Sequence, residues 1–151
     1  MEDDLMGTVE ENKQLVRRVV SEGVNEADLD AFRTHLAPDY ARHSQATTDM
    51  PEIRGIDEML EFLRVNFTAF PDWHEEIELM IGEGDIVAYI TTGTATHTGP
   101  FGDIPPTGKR IEVTNYVLQR IEEGKIAETW IGWDNLAVMR QLGLLPAVSS
   151  E

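Results

Sequence analysis

Ile111-Glu-Val-Thr-Asn-Tyr-Val-Leu-Gln-Arg-Ile121, then Glu122-Glu123-Gly124, then Lys125-Ile-Ala-Glu-Thr-Trp-Ile-Gly-Trp-Asp134 is the stretch that decides the fold. Two β-rich runs around a short glycine-bearing break make a hairpin. A two-residue primed turn would put Glu123 at positive φ, where a residue with a Cβ is uncomfortable. A three-residue loop asks this only of Gly124, as a type I turn with a bulge, and is the expected form. It pairs Ile121 with Lys125, Leu118 with Glu128, Tyr116 with Trp130 and Thr114 with Gly132. That register matters because a one-residue slip turns a strand's side chains over. One face then carries Thr114, Tyr116, Leu118, Arg120, Ile126, Glu128, Trp130 and Asp134. The other carries Val113, Asn115, Val117, Gln119, Ile121, Ala127, Thr129, Ile131 and Trp133. The first face, aromatic walls with one Arg and two carboxylates, resembles a pocket lining. The reverse, with the second face as core and the first exposed, stays open on the pattern alone.

Working outward, helical spacing precedes the strands. Thr8 and Glu11 read as a capping box before Leu15, Val16, Val19 and Val20, with residues 1–7 a loose lead-in. Asn25 is the expected cap of a second helix carrying Leu29, Phe32 and Leu36, stopped by Pro38. An irregular stretch from Ala41 to Arg54 holds His43. A third helix runs from about Ile56 to Ala69. From Trp73 the period changes to that of strands: Trp73 to Ile81, a turn at Gly82-Glu83-Gly84, and a long run from Asp85 to Thr98. Gly93 reads as a bulge or bend in that run. A Gly/Pro loop over 99–108, the hairpin, a closing helix from Asn135 to Leu142 and a polar tail over 146–151 complete the chain. Helices first and a strand meander after predict a single α+β domain over 1–151, with helices on one side of a curved antiparallel sheet.

The totals exclude several classes. At 151 residues the chain is one domain's length, enough to bury roughly 70% of its unfolded surface. It has no cysteine, so disulfides, thiol nucleophiles and Cys-zinc sites are out. A net charge of −16 repels nucleic acid and anionic membranes. Acids spread along the whole chain suit a salt-rich cytoplasm. No apolar run approaches the ~20 residues that span a bilayer, and Met1-Glu-Asp-Asp lacks a signal peptide's basic start, so a cytoplasmic location is expected.

P-loop, dinucleotide-binding, nucleophile-elbow and His-pair metal patterns are all missing, and no serine sits where it would be activated. Acid–base chemistry by carboxylates and histidines is what remains. Asp134 is the first candidate, because an apolar surround disfavours a carboxyl's charge and fits it for proton transfer near neutral pH. The duller role for Asp134 is to cap the helix beyond it. His43 could shuttle a proton or donate as neutral imidazole, given a free pKa near ~6.5; otherwise it is a surface-loop histidine. His97, at a strand end, reads as a rim or structural residue that could touch substrate. His35 and His74 read as solvent-facing or packing residues. Arg120 could hold a substrate oxygen or simply pair with Glu128. Tyr116, Trp130 and Trp73 could stack on a planar substrate or merely pack.

An ordered set of short stretches adds to this: Ala37-Pro-Asp-Tyr40 with His43, Phe70-Pro-Asp72, Gly84-Asp85 before Val87-Ala88, Thr96-His-Thr-Gly99, Pro105-Pro-Thr-Gly108, Arg120 with Gly124-Lys-Ile126, Glu128 and Trp130 with Asp134, and Gln141-Leu-Gly143. From about Val9 to Leu145 the chain thereby resembles the SnoaL-like polyketide cyclases, often labelled ester cyclases. The resemblance implies the nuclear transport factor 2-like fold, a cone of curved sheet closed by helices around a deep pocket. It implies that Asp134 is the catalytic aspartate, pointing inward to take a proton beside a carbonyl for an aldol ring closure. It also implies His43 near a polar pocket position, neither metal nor organic cofactor, and homo-oligomers (dimer or tetramer) through the outer sheet face, which Asn115, Val117, Thr129 and Ile131 would suit. One departure is local. Where antibiotic-pathway cyclases carry a Gln and a His two apart, Leu118 and Arg120 stand, so the polyketide substrate does not carry over.

The expected function is therefore acid–base chemistry on an apolar, oxygenated small molecule. Asp134 is the general base or acid, His43 and Arg120 assist, and Tyr116, Trp130, Leu118, Trp73 and His97 contact substrate. A non-catalytic binding or scaffold module on the same cone is the alternative, and a hydrolase or isomerase a third.

Overall fold

The computed structural model describes residues 2–46 and 52–146. Helix α1 (Glu2–Arg18) continues into a π-helical segment, Val19–Val24, followed by α2 (Leu29–His35). Strands β1 (Leu36–Ser44) and β2 (Glu52–Arg54) precede α3 (Ile56–Ala69). Then come β3 (His74–Glu83), β4 (Ile86–Thr96), β5 (Arg110–Glu122), β6 (Lys125–Gly132) and α4 (Asn135–Gln141). The six strands form one sheet in the order β2-β1-β6-β5-β4-β3. Neighbours run antiparallel except β1 and β6, which are parallel. This is the expected α+β layout, a curved sheet packed by helices.

Strict alternation shows which way the sheet faces. Along β4, Val87, Tyr89, Thr91, Gly93 and Ala95 are buried and their neighbours are not; along β5, Ile111, Val113, Asn115, Val117 and Gln119 are buried. Val87, Tyr89 and Val117 belong to one buried cluster with Met59, Leu60 and Leu63 of α3, which recur at helical spacing. Burying such a stripe is worth roughly 1.5–3 kcal/mol per large aliphatic side chain.

Several expectations are corrected. Helix α1 begins at Glu2 rather than at a Thr8 cap, so residues 2–7 are helical backbone; residue 1 and the tail from 147 lie outside the described residues. The second helix is capped by Asp28, whose side chain accepts from the Asp30 N–H, and Leu36 already belongs to a strand. The region around His43 is strand β1 rather than irregular chain. The first turn is Gly84-Asp85, since Glu83 pairs with Ile86. Gly93 pairs without a break on both sides, and the bulge of this hairpin lies in β3, between Ile77 and Leu79.

The β5–β6 hairpin closes through the two-residue turn, with Glu122 paired to Lys125 and both Glu123 (φ 50°) and Gly124 (φ 74°) left-handed. A primed turn matches the twist of the flanking strands, and that match outweighs the strain on Glu123. The extra residue appears instead as a bulge at Ala127, where pairing passes from Ile121–Ile126 to Arg120–Glu128. Beyond it, Leu118 faces Trp130 and Tyr116 faces Gly132, two residues away from the expected register.

Candidate functional site

Between the concave face of the sheet and the helices lies a cavity of about 670 Å³. Its sheet-side lining includes Val113, Asn115, Val117, Gln119, Thr129 and Ile131, the face expected to pack outward. The expected pocket face is reversed. Charge explains the choice: the even face of β5 carries Arg110, Glu112, Arg120 and Glu122, whereas the odd face carries only neutral amides among aliphatics. Charges stay in water and hydrogen-bonded amides tolerate burial.

Tyr116, Leu118 and Trp130 accordingly lie on the convex face, with Tyr116 60% exposed. Arg120 is there too, bonded to Glu122 (3.2 Å) and Glu128 (3.4 Å). His43 stacks on Trp130 at 5.5 Å, and its Nε2 lies 2.6 Å from Glu128 Oε2. Hydrogen bonding from His43, together with Arg120, holds the Glu128 carboxyl below the ordinary range against the opposing effect of desolvation. His43, Trp130, Glu128 and Arg120 thus come together, with Leu118 and Tyr116 on the same face, all outside the cavity. Asp134 is exposed and caps α4, its Oδ1 accepting the Ala137 N–H at 2.9 Å. Among the expected site residues, Trp73 and His97 are the two that line the cavity.

His97 is fully buried. The Thr107 backbone N–H donates to its Nδ1 at 3.2 Å, so the ring proton sits on Nε2, which has no partner among the described residues. Phe70 packs against this ring at 5.2 Å and against Trp73 at 5.7 Å.

The carboxyl that does reach the cavity belongs to Glu75 on β3. Its backbone is clamped from both sides by Asn25: the Glu75 N–H donates to Asn25 Oδ1 (2.7 Å), and Asn25 Nδ2 donates to the Glu75 carbonyl (3.0 Å). Asn25 directly follows the π-helical segment, so this wide helical turn positions the clamp. The carboxylate accepts from Asn115 Nδ2 at 2.9 Å, and the same amide reaches Thr91 at 3.3 Å. Burial pushes the Glu75 pKa up; the hydrogen bonds from Trp73, Thr91 and Asn115 oppose that rise without cancelling it. Opposite Glu75 stands Gly93, where an added Cβ would lie 3.2 Å from the Trp73 ring and 3.4 Å from Val113, so the missing side chain makes room for the indole.

A second polar group lies on β1 and β6. Tyr40 donates to Thr129 Oγ1 (2.8 Å), which also accepts from Gln119 Nε2 (3.1 Å), leaving Gln119 Oε1 buried with no partner among the described residues. Burial raises the Tyr40 pKa to about 12, so the phenol stays neutral. Arg42 sits beside it, its guanidinium over Phe62 at 4.5 Å and Trp133 at 5.7 Å. Among the described residues no three His, Asp or Glu side chains converge as metal ligands.

Glu75 was legible in principle. Trp73, Glu75 and Ile77 alternate onto one face of their strand, which puts the carboxyl between two apolar neighbours. Arg42 and Tyr40 carried no such signal, because β1 did not read as a strand.

The arrangement is an apolar chamber with one buried carboxyl and several neutral hydrogen-bonding groups, able to hold a small molecule and to exchange a proton with it. Known proteins share its frame. A protein described as a SnoaL-like polyketide cyclase from Jannaschia sp. CCS1 is 27% identical with a TM-score of 0.81, over 91% of this chain and 94% of that one. AclR from Streptomyces galilaeus, described as a hydroxylase, is 30% identical with a TM-score of 0.80, over 94% and 91%. IdmH from Streptomyces antibioticus, described as a polyketide cyclase, is 27% identical with a TM-score of 0.74, over 87% and 98%. No curated protein matches the chain. The family model for SnoaL-like polyketide cyclases matches residues 14–142, which spans all six strands, α2, α3 and α4, and the cavity they enclose. The chain belongs to the SnoaL-like polyketide cyclase family.

Proposed function

We propose that this protein is an acid–base enzyme acting on an apolar, oxygenated small molecule, with Glu75 moving a proton next to a substrate carbonyl. The observation that carries this reading is the Glu75 carboxyl inside an apolar cavity, its pKa raised by burial. A carboxylate kept from water is a stronger base than one in solution, and a pKa nearer neutrality suits both halves of a proton transfer. His97 lines the cavity as well, with its Nε2 buried and without a partner among the described residues. Ring closure by aldol addition, the chemistry the family's name implies, begins with this proton removal.

The reading is tested with 2-tetralone, a bicyclic ketone, by following exchange of its α-protons in deuterated buffer. Wild type is expected to speed exchange above buffer, D134N to do the same, and E75Q to fall to near background. Equal rates for E75Q and wild type would contradict the proposal. If D134N alone is inactive, the aspartate indicated by family resemblance is the base instead. Binding without any exchange would favour the non-catalytic module.

We further propose a homodimer through the convex face. Rows of paired positions run Ile81–Ala88–Leu118–Trp130 and Leu79–Ile90–Tyr116 across β3, β4, β5 and β6. Leu79 and Ile81 are 57% and 62% exposed, which is unusual for a patch of this extent on a monomer. L118R is expected to convert a dimer to a monomer in sedimentation equilibrium. A monomeric wild type, or a variant that stays dimeric, would rule this face out.

A further inference from the structure

Arg42 is 6% exposed, yet among the described residues no oxygen accepts a hydrogen bond from it and no carboxylate pairs with it. A buried guanidinium is normally matched by an anion, since removing its hydration without one is strongly unfavourable. The faces of Phe62 and Trp133 return part of that loss and no more. Tyr40 cannot supply the charge, because its phenol stays neutral. Glu75 cannot either. Strands β6, β5 and β4 stand between β1 and β3, four steps that amount to about 19 Å measured along the sheet. Desolvation pushes the Arg42 pKa down, with no carboxylate among the described residues to hold it up. Arg42 lines the cavity, and its nitrogens are not among the sealed, unpartnered atoms, so they open onto that space.

We propose that Arg42 receives the carboxylate of the ligand, making the substrate class an apolar carboxylic acid. This rests on the cavity being the ligand site. A guanidinium presents a planar fork that a carboxylate meets with two parallel hydrogen bonds. Flanking rings hold that fork flat and would extend as walls along an aromatic or alicyclic body. Tyr40 and Gln119 line the same side of the cavity as Arg42. With the acid group fixed at β1, the remainder of the ligand points along the concave face toward Glu75. Proton removal then occurs at the end remote from the carboxylate, which keeps two negative groups apart.

The probes are 2-naphthoic acid and its methyl ester, titrated calorimetrically against wild type, R42M and R42K at pH 7.5. Wild type is expected to bind the acid about 10- to 100-fold more tightly than the ester, as charge-assisted hydrogen bonds would give. R42M is expected to lose that preference while still binding the ester, and R42K to keep part of it. An acid no tighter than the ester on wild type, or a preference that survives in R42M, overturns the proposal and leaves the cavity reading intact. Failure of both probes to bind wild type overturns the cavity reading and this one together. If R42M does not fold, the wild-type contrast and R42K decide.

Discussion

Replacing Glu75 by glutamine is expected to lower turnover by about 10²- to 10⁴-fold, the usual contribution of one positioned acid or base. Glutamine keeps the shape and can still meet Asn115 and Thr91, so ligand binding should change little and the loss should fall on the rate. Stability should move the other way. Burial makes the folded chain hold the Glu75 proton more tightly than the unfolded chain does. Folded stability therefore falls as pH rises from the ordinary carboxylate range through the raised pKa, and is flat above it. Glutamine never ionises, so E75Q escapes that decline. Melting temperatures should show the variant gaining on wild type between pH 4 and pH 8. A variant that loses ground as pH rises would mean the carboxylate, not the acid, is what the fold prefers.

Gly99→Ala is expected to be the most damaging small substitution in the chain. The segment after β4 turns against the end of α3, where the N–H groups of Thr98 and Gly99 both donate to the Ala69 carbonyl, at 3.1 and 3.2 Å. A Cβ on Gly99 would overlap the Thr68 carbonyl oxygen and lie 3.0 Å from its carbon, with Ala69 Cα at 3.5 Å. Those are backbone atoms of a helix and cannot swing aside. Relief requires moving the segment and giving up one or both hydrogen bonds, a loss of about 3–5 kcal/mol when overpacking and lost bonding are taken together. In a domain of this size that lowers the melting temperature by roughly 6–20 °C. Gly102→Ala is the control. It has a positive φ of 57° and open space around it, so only backbone strain acts, about 1 kcal/mol. Similar melting temperatures for the two variants would contradict the close approach at Gly99. Because His97 and Phe70 lie beside this junction, G99A should also loosen that end of the cavity.

The sequence was most legible where one periodicity ran undisturbed. Helix α3 spans Ile56–Ala69 as its apolar spacing predicts, and α4 and the long strands fall within a few residues of their expected bounds. Legibility failed where a single residue changes the count. Ala127 bulges, so the hairpin kept its faces beyond that point but not its register, and Ile126 moved to the inside. In β3 the bulge between Ile77 and Leu79 turns Leu79 and Ile81 outward, which no alternation starting from Trp73 would give. The side of β5 that faces the cavity follows from where its charges lie. The even face of β5 holds an aromatic ring, but its four charges, Arg110, Glu112, Arg120 and Glu122, place it in solvent.

Asp134 ends a strand beside Trp133, and in sequence that is indistinguishable from a helix cap; the cap is what its geometry satisfies. His43, Arg120 and Glu128 do form a connected cluster, on the convex side. Arg42, one residue from His43, takes the inward place because side chains alternate along β1. One step along the strand thus separates a buried cation on the concave side from a half-buried imidazole on the convex side.

The central claim is that a carboxyl inside the concave face, Glu75, holds its proton above the ordinary carboxylate range. Selective ¹³C labelling of glutamate and an NMR titration of the Glu75 side-chain carboxyl, assigned by its disappearance in E75Q, tests this most directly. A midpoint above about 4.3, the value of a free glutamate, is the predicted result. A midpoint at or below that value would contradict the account.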